Sequence, residues 1–268
     1  MIMHDPFETV DWQGREVECA QCAHNELLAK DQCKPRFSCV HDRYAKRIDR
    51  FLGTHPYLAQ IHYTHPYFEV RAIASKYVDI FHLANMRHDP DETVRSMVTL
   101  RLPQRYLLEM RNDTEREVRI RVAYRLPQAD LPQMMHDEDY YVRTIVARRI
   151  TKGMLHLMLH DPDNGVRIAV AERIDMAQLH TMSVDTDSAV RMAVVKRYSP
   201  EKVAMMRHDD DWRVRYDVAQ RIAPSYLSEM AQDEDEMVRE VALMRLLENS
   251  MHQGTQNKPK ENRANGQN

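Results

Sequence analysis

The dipeptide Val-Arg recurs at Val70, Val94, Val118, Val142, Val166, Val190, Val214 and Val238, each time 24 residues after the last. Eight copies without an insertion or deletion restrict this chain to architectures made by stacking one short unit. Other positions keep the register. Methionine stands sixteen residues after the valine, at Met86, Met110, Met134, Met158, Met182, Met206 and Met230. Three residues before it come Leu83, Leu107, Leu131, Leu155, Leu179, Val203 and Leu227. Five residues ahead of the valine stands Asp89, Asp113, Asp137, Asp161, Asp185, Asp209 or Asp233, with His65 in the first unit.

One unit, HDPDETVRSMVTLRL, shows what the period builds. Asp89 is placed to cap a helix, with Pro90 at its first position and Glu92 completing a capping box. Val94, Val98 and Leu102 form one apolar stripe at i, i+4 and i+8. Asp91 and Arg95 are expected to pair four residues apart, and Pro103 ends the helix. About twelve residues remain before the next cap, room for a turn or two carrying Leu107 and Met110, whose three-residue spacing suits a 3₁₀ helix. A 24-residue period falls in the leucine-rich-repeat range, but no unit contains the L-x-L strand, and two-helix HEAT units need about 40–47 residues. The expected fold class is therefore all-α, a solenoid of compressed helical units whose core is the valine, leucine and methionine rows. With 6 glycines and 18 methionines, composition agrees: few left-handed turns are available, and thioethers fill the layers between units.

The expected organisation is a cysteine-rich head over residues 1–50, eight units over 51–247 with the first degenerate, and a polar disordered tail over 248–268. Leu58 and Ile61 are read as the degenerate unit's echo of Leu83 and Met86. The 38 basic and 41 acidic residues give a net charge of −3, which does not suit a chain built to coat nucleic acid or an anionic membrane. No apolar run approaches a membrane helix, and the N-terminus has no secretory pattern, so a soluble cytoplasmic protein is expected.

All four cysteines lie in the head as C-x2-C-x10-C-x5-C: Cys19, Cys22, Cys33 and Cys39. In a reducing compartment such a set is expected to bind metal. Four thiolates suit tetrahedral zinc or an iron–sulfur cluster, and the spacing matches neither a zinc ribbon nor the bacterial ferredoxin run, so both stay open. Lys34, Arg36 and His41 beside them read as solvated surface. The absence of a βαβ pattern speaks against a thioredoxin-like role for Cys19 and Cys22.

This head, joined to units of the form D-x-D-x-x-V-R-x-x-V-x-x-R-L with a following L-x-x-M, resembles the leucine-rich-repeat variant iron–sulfur proteins of nitrogen-fixing bacteria over about residues 15–247. The resemblance implies a four-iron, four-sulfur cluster on Cys19, Cys22, Cys33 and Cys39. It also implies a right-handed superhelix of alternating α and 3₁₀ helices, with the 3₁₀ layer inside, and a link to nitrogen fixation.

Two arginine rows invite a phosphate-binding reading: that of Val-Arg, and Arg101, Arg125, Arg149, Arg173, Arg197, Arg221 and Arg245. Aspartate rows match them, and stems of the second row are expected to lie on apolar surface with their heads near helix C-termini. His88, His136, His160 and His208 read as surface, because stacked helices 8–10 Å apart hold histidines too far apart to share one ion. With no nucleophilic triad, phosphate loop or H-E-x-x-H, no enzyme is expected. The reading is an interaction or electron-transfer accessory with a protein partner on the solenoid surface and no membrane partner. A nucleic-acid-binding solenoid with a structural or redox-sensing cluster, or structural zinc in its place, are the alternatives.

Overall fold

The computed structural model describes residues 9–256. Among them there is no strand, only isolated bridges pairing Val10 with Glu16 and Lys34 with Ser38. Two compact units divide between Val146 and Ala147. The first holds the head and then α-helices Phe68–Ala74, Glu92–Val98 and Arg116–Arg125, alternating with 3₁₀ turns at Met86–His88, Leu108–Asn112 and Leu131–Met134. In the second, Asn164–Ala171, Ser188–Arg197, Trp212–Ala219 and Glu236–Gln256 alternate with 3₁₀ segments including Lys152–Met158, His180–Val184 and Ala204–Met206. The fold is the expected all-α solenoid of 24-residue units. The short elements are wholly 3₁₀, as at Lys152–Met158, or combine a short α stretch with 3₁₀, as at Gln104–Leu107 followed by Leu108–Asn112 or, in the reverse order, Pro224–Tyr226 followed by Leu227–Met230.

The rows behave as the period requires. Every valine of the Val-Arg row is fully buried, as is the leucine row, and each methionine of its row is at most 6 % exposed. His88, His136, His160 and His208 are exposed.

The aspartates are used differently from expectation. The cap of the Glu92–Val98 helix is Asp91, whose carboxylate accepts the Thr93 N–H at 2.9 Å, so Pro90 lies outside the helix. Asp163, Asp187 and Asp211 cap their helices likewise. Asp89 instead closes the turn by accepting the Asp91 N–H at 2.9 Å and receives the guanidinium of Arg71 from the preceding unit at 2.7 and 2.8 Å. Arg95 therefore passes over Asp91 and grips Asp113, eighteen residues on, with two bonds of 2.8 and 2.9 Å, while its Nη1 donates to the Asp89 carbonyl at 2.9 Å. The same fork joins Arg167 to Asp185, Arg191 to Asp209 and Arg215 to Asp233. Each arginine thus ties its own turn to the next one with charge-assisted bonds.

The second row donates to carbonyls ending the preceding unit's helix: Arg101 to Ser75 at 2.7 Å, Arg197 to Ala171 at 2.7 Å and Arg245 to Ala219 at 2.8 Å. These are the carbonyls a helix leaves unsatisfied at its C-terminus.

The last helix runs to Gln256, so residues 248–256, expected as tail, are helical; the remainder, 257–268, lies outside the described residues. No helix among the described residues is long and apolar enough to cross a membrane.

Candidate metal centre

The head is made of short turns because it has little else to fold with. Asp11 accepts the N–H groups of Gln13 and Arg15 at 2.9 Å each, closing a turn in which Gly14 takes φ +81°, a conformation glycine adopts without strain. Cys19 opens a 3₁₀ turn ending at Gln21, and Cys22 follows directly. Asn25–Ala29 forms one helical stretch, and residues with positive φ, Asp31 at 55° and Arg36 at 66°, turn the chain on either side of Cys33. The bridge between Lys34 and Ser38 brings the chain back to Cys39. Asp42, fully buried, then accepts the Tyr44 N–H at 2.9 Å and the Arg47 guanidinium at 2.9 Å, which fixes the entry to the Ala45–Thr54 helix. That helix buries Ile48, Phe51 and Leu52 and packs on Phe68–Ala74 as successive repeat helices pack on each other. The apolar end of the first unit is thereby covered.

Cys19 and Cys22 are half-buried, whereas Cys33 and Cys39 are 8 % and 4 % exposed. Cys22 acts electrostatically on each of the other three. Burial and then the charge of Cys22 push the Cys19 thiol up. Burial, then Cys22 and Cys19, do the same to Cys33. Burial pushes Cys39 up to about 12, against a hydrogen bond from the His41 backbone and with Cys33, Asp42 and Cys22 adding to it. All four are free thiols. Among the described residues no three His, Cys, Asp or Glu donors stand close enough to hold a single ion.

Two of the sulfurs already have donors. The His24 N–H points to Cys22 Sγ at 3.4 Å, and the His41 backbone bonds Cys39 in the equivalent Cys-x-His position. Hydrogen bonds to thiolate sulfur orient and tune metal-bound cysteines. Four cysteines within one electrostatic neighbourhood, two with backbone donors aimed at sulfur, form a donor set that fits an iron–sulfur cluster.

The sequence reading missed the histidines behind this set. His24 and His62 join Nε2 to Nε2 at 2.8 Å, with His41 and His65 each 5.9–6.2 Å from the His62 ring. Trp12 contacts His65 at 4.7 Å, and Phe51 contacts His24 at 5.4 Å. Burial, with the neighbouring imidazoles adding to it, pushes His62 and His65 down to about 4, so both are neutral near pH 7. A signal for them existed. Counting back 24 residues from Met86 and Asp89 gives His62 and His65, two of the first unit's departures from the repeat. The same count corrects the expected echo. Ala59 and His62 occupy the leucine and methionine positions and are buried, whereas Ile61 is 65 % exposed. Leu58, on the adjoining 3₁₀ turn, is buried outside the register. Lys34 is exposed, and Arg36 donates to Thr9 Oγ1 at 3.0 Å.

Two cavities reach the centre. One of about 340 Å³ is lined by Trp12, Arg15, Cys22 and His41. The other, of about 460 Å³, is lined by Cys33, Lys34, Phe37, Ser38 and Arg50.

The raised value of Cys39 has a direct consequence. A thiol near 12 is about one part in ten thousand thiolate at pH 8, and only thiolate alkylates. In reduced, metal-free protein treated with iodoacetamide, buried Cys39 should be modified well after half-buried Cys19. Peptide mapping over time checks this; equal rates would contradict the burial described.

Comparison with known proteins follows this geometry. Residues 9–61 match the family described as LRV protein FeS4 cluster, and residues 116–139 match the leucine rich repeat variant family. A 27.7 kDa protein in the nifB 3′ region of Rhodobacter capsulatus is 44 % identical over 96 residues, 36 % of this chain and 39 % of that protein. The alignment thus spans about two fifths of that relative's length. A solved structure described as a leucine-rich repeat variant with a novel repetitive structural motif superposes with a TM-score of 0.82 at 36 % identity, covering 86 % of this chain and 99 % of that one.

Proposed function

Because the chain belongs to the leucine-rich-repeat variant family of iron–sulfur-cluster repeat proteins, we propose that Cys19, Cys22, Cys33 and Cys39 hold a four-iron, four-sulfur cluster and that the units beyond them offer a docking surface to a protein partner. The observation that carries this reading is that the segment matched by the cluster family, residues 9–61, contains all four cysteines and folds into the cap described above. Such a cluster accepts and releases one electron at a time. The chain's own part is to supply four thiolates, aim the His24 and His41 N–H groups at two of them, and back them with neutral imidazoles. The cavities beside Cys22 and Cys33 would bring a partner close to the sulfurs without unfolding the cap.

The role is that of an electron-transfer or binding accessory rather than an enzyme, since the chemistry-bearing residues are concentrated in the head. Reduced thiols suit a cytoplasmic site of action, and the relative in a nifB 3′ region supports a place in nitrogen-fixing metabolism. Nucleic acid is disfavoured as partner because the arginine rows are engaged with aspartates and helix-end carbonyls. Titration of cluster-loaded protein with duplex DNA across salt concentrations tests this point. No specific binding at 0.15 M salt is expected, to order of magnitude of physiological ionic strength. Tight binding that falls steeply with salt, as phosphate contacts require, would favour a nucleic-acid role instead.

A further inference from the structure

Among the described residues, one buried side-chain N or O atom has no hydrogen-bond partner: the hydroxyl of Ser38. Native proteins rarely leave a buried hydroxyl unpaired, and each such group calls for an explanation, of which a redox or ligand-binding role is one. Ser38 is 6 % exposed, and its backbone is fully used: its N–H donates to the Lys34 carbonyl at 2.8 Å, and its carbonyl accepts the Lys34 N–H at 3.0 Å. The turn between them, with Arg36 at φ +66°, fixes Ser38 immediately before Cys39 and one hairpin away from Cys33. Both cysteines are buried, and Cys33 and Ser38 line the same 460 Å³ cavity. A packing role alone would be served by alanine, which brings no polar atom to satisfy.

We propose that Ser38 is a positioning residue for the cluster, its hydroxyl donating a hydrogen bond to a cluster sulfur. This rests on the four-cysteine cluster proposed above. The bound cluster brings in sulfurs as acceptors where the protein offers none. A donor to sulfur favours the more negative, reduced state, so the hydroxyl raises the reduction potential. His24 and His41 donate from the backbone, which only proline would delete, at the cost of changing the turn as well; Ser38 donates from a side chain that alanine removes cleanly.

The test is a redox titration, followed by EPR, of anaerobically purified full-length Ser38→Ala and Ser38→Thr, with iron and acid-labile sulfide measured on each sample. In Ser38→Ala, iron and sulfide should stay at the unsubstituted level while the reduced-to-oxidised ratio at fixed potential falls about tenfold, a shift of about 59 mV to lower potential for a one-electron couple. Ser38→Thr, which keeps the hydroxyl, should restore the original potential. Pulsed EPR in D₂O should show an exchangeable deuteron coupled to the cluster that disappears only in Ser38→Ala. A fully loaded Ser38→Ala protein with unchanged potential and unchanged deuteron coupling would overturn the proposal. So would failure of both variants to load, which would make the position one of packing alone. Absence of iron from the unsubstituted protein would instead overturn the cluster reading, so the two failures are told apart.

Discussion

Cys33→Ala should abolish cluster loading while leaving the helical content of the repeats largely intact. Cys33 is 8 % exposed, and the other three cysteines of the chain already belong to the proposed ligand set, so a four-ligand set becomes three with no reserve. The repeat helices do not depend on that thiol. Their cores are valine, leucine and methionine rows, and arginine forks such as Arg95 to Asp113 and Arg167 to Asp185 tie one unit to the next. In stacked-repeat proteins stability is close to a sum of unit and nearest-neighbour terms, so damage at the cap stays mostly local. Iron analysis and far-UV circular dichroism on the same anaerobic sample measure both halves of the expectation. Loss of iron together with most of the helical signal would mean that the head nucleates the fold rather than covering its end.

Arg215→Ala should be the costliest substitution in the repeat arginines. Its guanidinium takes both carboxylate oxygens of Asp233 at 2.8 and 3.0 Å, reaches Glu234 at 3.0 Å and donates to the Asp209 carbonyl at 2.7 Å. The two side chains are 8 % and 9 % exposed. Removing one partner of a buried pair leaves an uncompensated charge, typically at a cost of about 3–5 kcal/mol, whereas exchanging both for apolar groups of similar volume is often near neutral. Urea denaturation should therefore show Arg215→Ala losing several kcal/mol and the double variant Arg215→Met, Asp233→Leu losing far less.

The pair also has a pH signature. Burial alone would raise the Asp233 carboxyl, but hydrogen bonds from Arg215 and Asp235 and the nearby guanidiniums hold it below its ordinary 3.8. A depressed folded value contributes stability that is present above 3.8 and is lost as pH falls through the lower folded value. The unsubstituted protein should lose this contribution only below pH 3.8, and Arg215→Ala should lack it throughout. Identical acid limbs for both would show that the fork contributes nothing to folding.

What could be read from residues alone follows the range of each interaction. The valine, leucine and methionine rows were readable because burial in a helix repeats at i, i+4 and i+8, inside one window of sequence. The use of the aspartates was not, because most units have two of them two residues apart and the partner that separates their roles is an arginine eighteen residues before the first. Asp91, at the shorter distance from Arg95, looked like its partner, yet it caps the helix while Arg95 reaches Asp113. In the first unit, side-chain similarity suggested Leu58 and Ile61, but the stack follows register and buries Ala59 and His62. The polar run after residue 247 suggested a tail, yet with no proline or cap to stop it the helix continues to Gln256. In the head, spacing alone identified four sulfur donors and left zinc and iron both open, because thiolate chemistry serves both. The donors to those sulfurs, His24 and His41 through their backbones and Ser38 through its hydroxyl, are properties of turns that side-chain patterns do not report.

In the proposed function the four head cysteines hold an iron–sulfur cluster at the capped end of a helical repeat stack. Anaerobic purification of the full chain with parallel metal and sulfide analysis tests it most directly. Brown protein with four iron and four acid-labile sulfide per chain is expected, both lost together in Cys33→Ala. Colourless protein carrying one zinc per chain, with neither iron nor sulfide, would contradict it.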